Sequence, residues 1–179
     1  MHNDIERVLF TEAELQKMVA ELGAKITADY QGKNLVVVCI LRGSFIFTAD
    51  LVRHINTPCS VDFMVVSSYG AGTESSGRVR IIKDLTDNVE GKDVLVIEDI
   101  LDSGNTLSFL LETLKLRNPA SVKLCALLDK PSRRVKPVYP EYVGTQIDDH
   151  FVVGYGLDYA ELYRNLPYIG ILKPEVYEA

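Results

Sequence analysis

"VLVIEDILDSGNTL", residues 94–107, is an apolar run that stops at Glu98-Asp99 and resumes for two residues. It then gives Asp102-Ser103-Gly104-Asn105-Thr106 before turning apolar again. In an open parallel sheet, ligands bind beyond the carboxyl ends of the strands, and that is where Glu98, Asp99 and Asp102 are expected here. The turn at 103–106 leads into a helix that should begin near Leu107. It therefore brings together backbone N–H groups, two hydroxyls and the positive end of a helix dipole, a combination suited to a phosphate monoester. Asp102 or Ser103 would also serve as an ordinary helix cap, but a cap needs one residue and leaves Glu98 and Asp99 unexplained. Carboxylates beside a phosphate turn point to a ligand with hydroxyls as well as a phosphate, namely a ribose phosphate. The chain contains no GxxxxGK[ST] and no GxGxxG after a strand, so neither a P-loop nor a dinucleotide fold is supported.

The flanking pattern places this stretch in an α/β fold. Thr11 and Glu14 form a capping-box pair, and Leu15, Met18, Val19, Leu22 and Ile26 follow at helical spacing, so a first helix should reach about Asp29. Continuous apolar runs at 34–41, 93–99 and 121–129 read as strands covered on both faces, with a further strand at 60–68. Helices are expected at 44–55 and 107–116, and weaker strands near 142–145, 151–155 and 168–172. Strand and helix alternate through the middle of the chain, which predicts a central parallel sheet flanked by helices on both faces. The segment 68–82 carries three glycines and few apolar residues until Val79. Composition leaves it open between an exposed hairpin and a lid over a site.

Composition excludes several function classes. At 179 residues the chain suits one domain with a sizeable core. No apolar stretch approaches the ~18 residues that span a bilayer, and the first ten residues lack a signal-peptide core, so a soluble cytoplasmic protein is expected. The net charge of −6 offers no footprint for nucleic acid. "KPSRRVK" (130–136) is the only short basic cluster. Cys39, Cys59 and Cys125 form no CxxC and read as free buried thiols. His2, His54 and His150 show no metal-ligand spacing.

The strand, Glu-Asp, two apolar residues and Asp-Ser-Gly-Asn-Thr together closely resemble the phosphoribosyl-diphosphate (PRPP) motif of type I phosphoribosyltransferases. "LRGS" (41–44) resembles the pyrophosphate-binding loop of that family, "SSYG" (67–70) the start of its mobile loop, and "LLDKPSRR" (127–134) the segment with its base-recognising lysine. "FVVGYGLDYAELYRNLPYIGIL" (151–172) resembles the C-terminal hood of hypoxanthine-guanine phosphoribosyltransferases of bacterial type.

The resemblance implies the type I fold in a single domain: a core at about 10–145, a mobile loop at 68–82 with Ser68 and Tyr69, and a hood from about 1–9 and 146–179. It implies purine salvage, with transfer of the phosphoribosyl group from PRPP to hypoxanthine or guanine, giving IMP or GMP and pyrophosphate. Glu98, Asp99, Asp102, Ser103, Gly104, Asn105 and Thr106 would hold the ribose and 5′-phosphate, with Asp102 as the general base. Leu41, Arg42, Gly43 and Arg164 would bind pyrophosphate, the peptide before Arg42 being cis. Ile100, Lys130, Phe151, Val152 and Asp158 would bind the purine. Glu98, Asp99 and Asp158 would serve Mg²⁺, the implied cofactor. Asn105 departs from the family pattern, in which threonine or lysine is found at that place.

The implied partners are PRPP and a 6-oxopurine, with no nucleic acid or membrane, in a homodimer or homotetramer. The competing readings are a phosphoribosyltransferase for another base such as xanthine, a PRPP-fold regulator that binds nucleic acid, and an inactive structural subunit.

Overall fold

The computed structural model describes residues 1–68 and 79–178. Within them a six-stranded sheet has the order β4-β3-β2-β5-β6-β7. Its members are β2 (Leu35–Leu41), β3 (Cys59–Ser68), β4 (Val79–Lys83), β5 (Asp93–Leu101), β6 (Ser121–Asp129) and β7 (Tyr142–Gln146). All neighbours pair in parallel except β4, which runs antiparallel to β3 at the edge.

Side chains alternate across this sheet, and each face meets helices, as expected of a parallel sheet. Leu35 and Val37 of β2, Leu95 and Ile97 of β5, and Cys125 and Leu127 of β6 face one way. They pack with α1 (Glu12–Asp29) and α2 (Phe45–Arg53) through Leu15, Val19, Leu22, Ile26, Phe47 and Leu51. Val36, Val38, Val94, Val96, Leu124 and Ala126 face the other way, against Leu107, Leu110 and Leu114 of α3 (Asn105–Lys115). Each fully buried aliphatic side chain of this kind stabilises the fold by roughly 1.5–3 kcal/mol. The Thr11–Glu14 capping box forms as read: Glu14 N donates to Thr11 Oγ1 and Thr11 N to Glu14 Oε2.

A second, antiparallel sheet joins β1 (Ile5–Phe10), β9 (Ile169–Leu172) and β8 (Val152–Val153) in the order β1-β9-β8. A single turn, α4 (Pro174–Tyr177), follows β9. Val153, Leu172, Leu166 and Tyr163 form a small separate cluster on this sheet, covered by Val176 and Tyr177.

Several boundaries differ from the sequence reading. β5 continues to Leu101, so Glu98 and Asp99 stand on the last turns of the pleat and not beyond it. α3 starts at Asn105, two residues early, because Gly104 takes a left-handed conformation (φ +81°) that bends the chain into the helix at once. The strand expected at 151–155 stops at Val153, where Gly154 and Tyr155 turn to positive φ. α2 is shorter than expected, and β1 and β4 were not read as strands at all. Cys39 and Cys125 are buried free thiols, whereas Cys59 is only half-buried. The loop expectation at 68–82 falls mostly on residues outside those described, Tyr69 among them; Ser68 ends β3. No helix among the described residues is long and apolar enough to cross a membrane.

The second sheet is tied to the core through Asp50 of α2, whose carboxylate accepts Tyr155 Oη at 2.5 Å and Gln16 Nε2 at 3.1 Å and pairs with Arg53. Burial alone would raise the Asp50 carboxyl, but these hydrogen bonds outweigh it and hold the group below the usual range. A carboxyl lowered in the folded state stabilises above its unfolded pKa, and the contribution disappears as pH falls through the folded value. Tyr155→Phe should therefore cost about 1 kcal/mol at neutral pH, read as a lower unfolding midpoint. The difference from wild type should shrink in acid, below the ordinary aspartate pKa of about 4.

Candidate active site

Parallel pairing of β2 with β5 ends at Cys39↔Ile97, although β2 runs on to Leu41 and β5 to Leu101. Beyond that point β2 stays with β3 as far as Leu41↔Val65, and β5 with β6 as far as Leu101↔Asp129. The chain leaves β2 toward β3 on one side and returns as β5 on the other, so this is the switch point at which an open sheet forms a crevice. The residues after β2 and at the end of β5 make its walls.

The first wall is 41–44. The Leu41–Arg42 peptide is cis. Ser44 is buried, and its hydroxyl donates to the Ile40 carbonyl at 2.6 Å. A Cβ on Gly43 would lie 1.8 Å from Asp99 Oδ2 and 2.8 Å from its Cγ, so any side chain there would push the Asp99 carboxylate aside. The same backbone meets the second sheet's side, because a Cβ on Gly156 would lie 2.2 Å from the Gly43 carbonyl oxygen.

The second wall holds Glu98 and Asp99. Asp99 Oδ1 accepts Ile100 N at 2.7 Å, and Glu98 Oε1 accepts Asp99 N at 3.2 Å. Burial and then the neighbouring Asp99 charge push the Glu98 carboxyl well above the usual range. Burial raises Asp99 as well, in spite of its hydrogen bonds and the charge of Arg164. Two adjacent carboxyls held at this cost are a hard-oxygen pair that a divalent cation would relieve.

Beyond β5, Gly104 is the N-cap of α3 and has no side chain to cap it. Ser103 Oγ accepts Asn105 N at a long 3.4 Å, and the start of the helix remains a place where N–H groups can meet an anion. Ser103, Gly104, Thr106, Glu98, Ile100 and Asp102 are among the residues lining a cavity of about 260 Å³ closed on its other side by Ile40 and Leu41. Asn105 is exposed and lies outside that lining.

A second cavity, about 640 Å³, is lined by Asp99, Ile100, Asp102, Lys130, Phe151, Val152 and Asp158, among others. Asp102 and Ile100 belong to both cavities. Asp102 Oδ1 is buried and has no hydrogen-bond partner among the described residues; Arg133 Nε is 3.6 Å away. Lys130 is buried, not a solvated loop lysine, and its ammonium donates to the His150 carbonyl at 2.5 Å with Asp149 3.6 Å away.

On the far side, Arg164 donates to the Gly156 carbonyl at 2.7 Å and pairs with Asp158 at 3.1 Å. Glu161 Oε2 bridges Arg42 at 2.8 Å and Arg164 at 3.5 Å. Among the described residues no three His, Cys, Asp or Glu side chains converge to hold an ion by themselves. Asp158 therefore does not converge with Glu98 and Asp99 into one cluster, and its expected role toward the metal is the water-mediated one.

The phosphoribosyl transferase domain family matches residues 9–160. The hypoxanthine-guanine phosphoribosyltransferase of Staphylococcus aureus is 59% identical over 177 residues, which cover 99% of both chains. The chain belongs to the hypoxanthine-guanine phosphoribosyltransferase family. A crystal structure of a hypoxanthine phosphoribosyltransferase from S. aureus superposes with a TM-score of 0.96 at 59% identity, covering 99% of this chain and 96% of that one. The bifunctional protein TilS/HprT of Listeria innocua is also 59% identical over 99% of this chain, which spans only 27% of that longer protein.

Within this phosphoribosyltransferase, sequence reasoning missed the residues that hold the phosphate turn. Arg134 Nε donates to the Asp102 carbonyl at 3.0 Å and Nη1 to the Val138 carbonyl at 2.5 Å, while Nη2 pairs with the buried Asp129. The amides of Val135 and Lys136 both donate to the Ser103 carbonyl. The signal was the "KPSRRVK" cluster, read for Lys130 and as a nucleic-acid patch but not for Arg134. Glu161 was missed too, since nothing in its spacing announces a bridge between two arginines.

Gly43→Ala should lower kcat/KM by about 10²-fold, the usual effect of displacing a site wall by an ångström, and steady-state kinetics will read it. Glu98→Gln should act in opposite senses on stability and function. A carboxyl raised in the folded state destabilises once pH exceeds its unfolded value of about 4.3. The variant should therefore unfold at a higher temperature near neutral pH, with the gain fading as pH falls toward 4, while PRPP affinity drops.

Proposed function

We propose that the chain transfers the 5-phosphoribosyl group of PRPP to hypoxanthine or guanine, giving IMP or GMP and pyrophosphate. The observation that carries this reading is Asp102. It forms the wall common to a cavity at the start of α3 and a cavity containing a buried lysine and an exposed phenylalanine, and its Oδ1 has no hydrogen-bond partner among the described residues, only Arg133 Nε at 3.6 Å. One cavity suits the phosphorylated donor, the other a flat base, and the Asp102 carboxylate stands between them.

The N–H groups at the start of α3, with the Ser103 and Thr106 hydroxyls, would hold the 5′-phosphate. Glu98 and Asp99 face the ribose hydroxyls. The 41–44 loop, Arg42 and Arg164 would receive pyrophosphate, with Glu161 giving up its two arginines to it. Lys130 is donor-only, so it favours a 6-oxo group over a 6-amino group. Ile100 and Phe151 supply apolar surface for the ring, and Val152 and Asp158 line the edge expected to meet the 2-amino group of guanine.

The raised Glu98–Asp99 carboxyl pair fits Mg²⁺ brought in with PRPP, since this ion keeps several waters and takes one or two carboxylates plus substrate phosphates. When bound it supplies charge neutralisation for the leaving pyrophosphate. As the purine nitrogen bonds to the anomeric carbon and the carbon–oxygen bond to pyrophosphate breaks, the ring proton passes to Asp102 Oδ1.

Asp102→Asn should lower kcat by 10²–10⁴-fold, the usual worth of a positioned base, with PRPP binding nearly unchanged; turnover near the wild-type rate would remove Asp102 from this role. The substrate reading is tested by assaying hypoxanthine, guanine, xanthine and adenine with PRPP and magnesium. Turnover is expected with the 6-oxopurines, and a preference for adenine would overturn the assignment of Lys130.

A further inference from the structure

We propose that Tyr177, on the α4 turn, is a positioning residue for the purine, acting as the fixed backing of the Phe151 ring. The proposal rests on the reading that Phe151 stacks on the base, and it names a residue to which that reading assigns nothing.

The geometry begins with strand register. Val152 pairs with Ile171 and Val153 with Gly170, and Leu172 N donates to the Phe151 carbonyl at 2.9 Å. Phe151 therefore lies opposite Leu172, and its side chain leaves the small sheet on the face shared by Val153 and Leu172. That face is the one covered by the separate cluster to which Val176 and Tyr177 belong, and not the face that packs into the main core with Val152 and Ile171.

The Tyr177 ring stacks on Phe151 with centroids 4.7 Å apart and planes 19° from parallel. Tyr159 meets Phe151 edge-on at 5.7 Å and 85°, and lies 6.4 Å from Tyr177 at 66°. Phe151 is thus held on one face and one edge, yet it remains 38% exposed. Phe151 lines the cavity that Ile100 and Lys130 also line, with Tyr177 on the same lining.

A ring at the end of a two-residue strand would otherwise turn freely about its side-chain bonds, and a base stacking on it would have to pay for that lost freedom. With Tyr177 behind it, the ring is already set before the base arrives. The contribution falls on base binding and not on PRPP, because Tyr177 lines only the base cavity and not the phosphate cavity.

The test compares Tyr177→Ala and Tyr177→Phe with wild type by varying base and PRPP separately, alongside thermal unfolding. Tyr177→Ala should raise KM for hypoxanthine by roughly three- to tenfold, the worth of one aromatic pair. KM for PRPP should hold and the unfolding midpoint change little. Tyr177→Phe, which keeps the ring, should restore the wild-type value. An unchanged KM for the base overturns the proposal, as does an equal rise for base and PRPP, which would mark a merely structural role. A fall in KM for the base also overturns it, because Tyr177 would then compete for the face the base needs. If wild type prefers a different purine, the substrate reading fails, and the Tyr177 comparison is made with that purine instead.

Discussion

Everything at the site depends on one event in the main sheet: β2 and β5 pair in parallel for five residues and then part. Up to Cys39↔Ile97 their backbones satisfy each other. Past it each strand keeps only its outer neighbour, so the inner backbone edges of 40–41 and 98–101 face a gap. A gap between two buried strands would be costly if it stayed apolar and closed. Here it is bounded by polar side chains and by a glycine pressed against Asp99, which makes it a crevice with one narrow floor. The phosphate turn, the 41–44 loop and the base cavity all open from that floor.

The same geometry explains why the acids at 98 and 99 are expensive. They stand on a strand whose preceding residues, Val94 to Ile97, are fully buried, so the pleat carries them to the edge of the core with little solvent to share. Glu98 lines the phosphate-side cavity and Asp99 the base-side cavity. Ile97 and Ile100 pack on one face of the sheet and Leu101 on the other, so strict alternation breaks here and the two carboxyls stay close enough to share a proton. Such a pair can address two parts of one ligand, at the cost of mutual repulsion when both are charged.

Much of this was legible in the sequence, for identifiable reasons. The apolar runs of β2, β5 and β6 announce strands covered on both faces, and β6 (Ser121–Asp129) coincides with its expected span. Thr11 and Glu14 announced the start of α1. What escaped depends on contacts between distant segments. Val79–Lys83 is a five-residue segment with Arg80 and Lys83 in it, and it is held as a strand by pairing with β3. Ile5–Phe10 is interrupted by Glu6 and Arg7 and is held by β9. In the site, the acids and the turn were readable because they are contiguous. Arg134 was not, because its partners at 102, 129 and 138 come together only when the 3₁₀ turn after β6 folds back under α3.

The small sheet has a consequence for how the enzyme is assembled. The crevice side is built from pairings among β2, β5 and β6 with helices between them, contacts of moderate separation along the chain. The base side needs β1 and β9 to meet, Ile5 opposite Leu172, and that pairing encloses nearly all the intervening chain. Loop-closure entropy makes such a pairing slow to form until the core has already drawn its ends together. The phosphate cradle thus rests on pairings of shorter reach along the chain than the β1–β9 pairing that supports the base side.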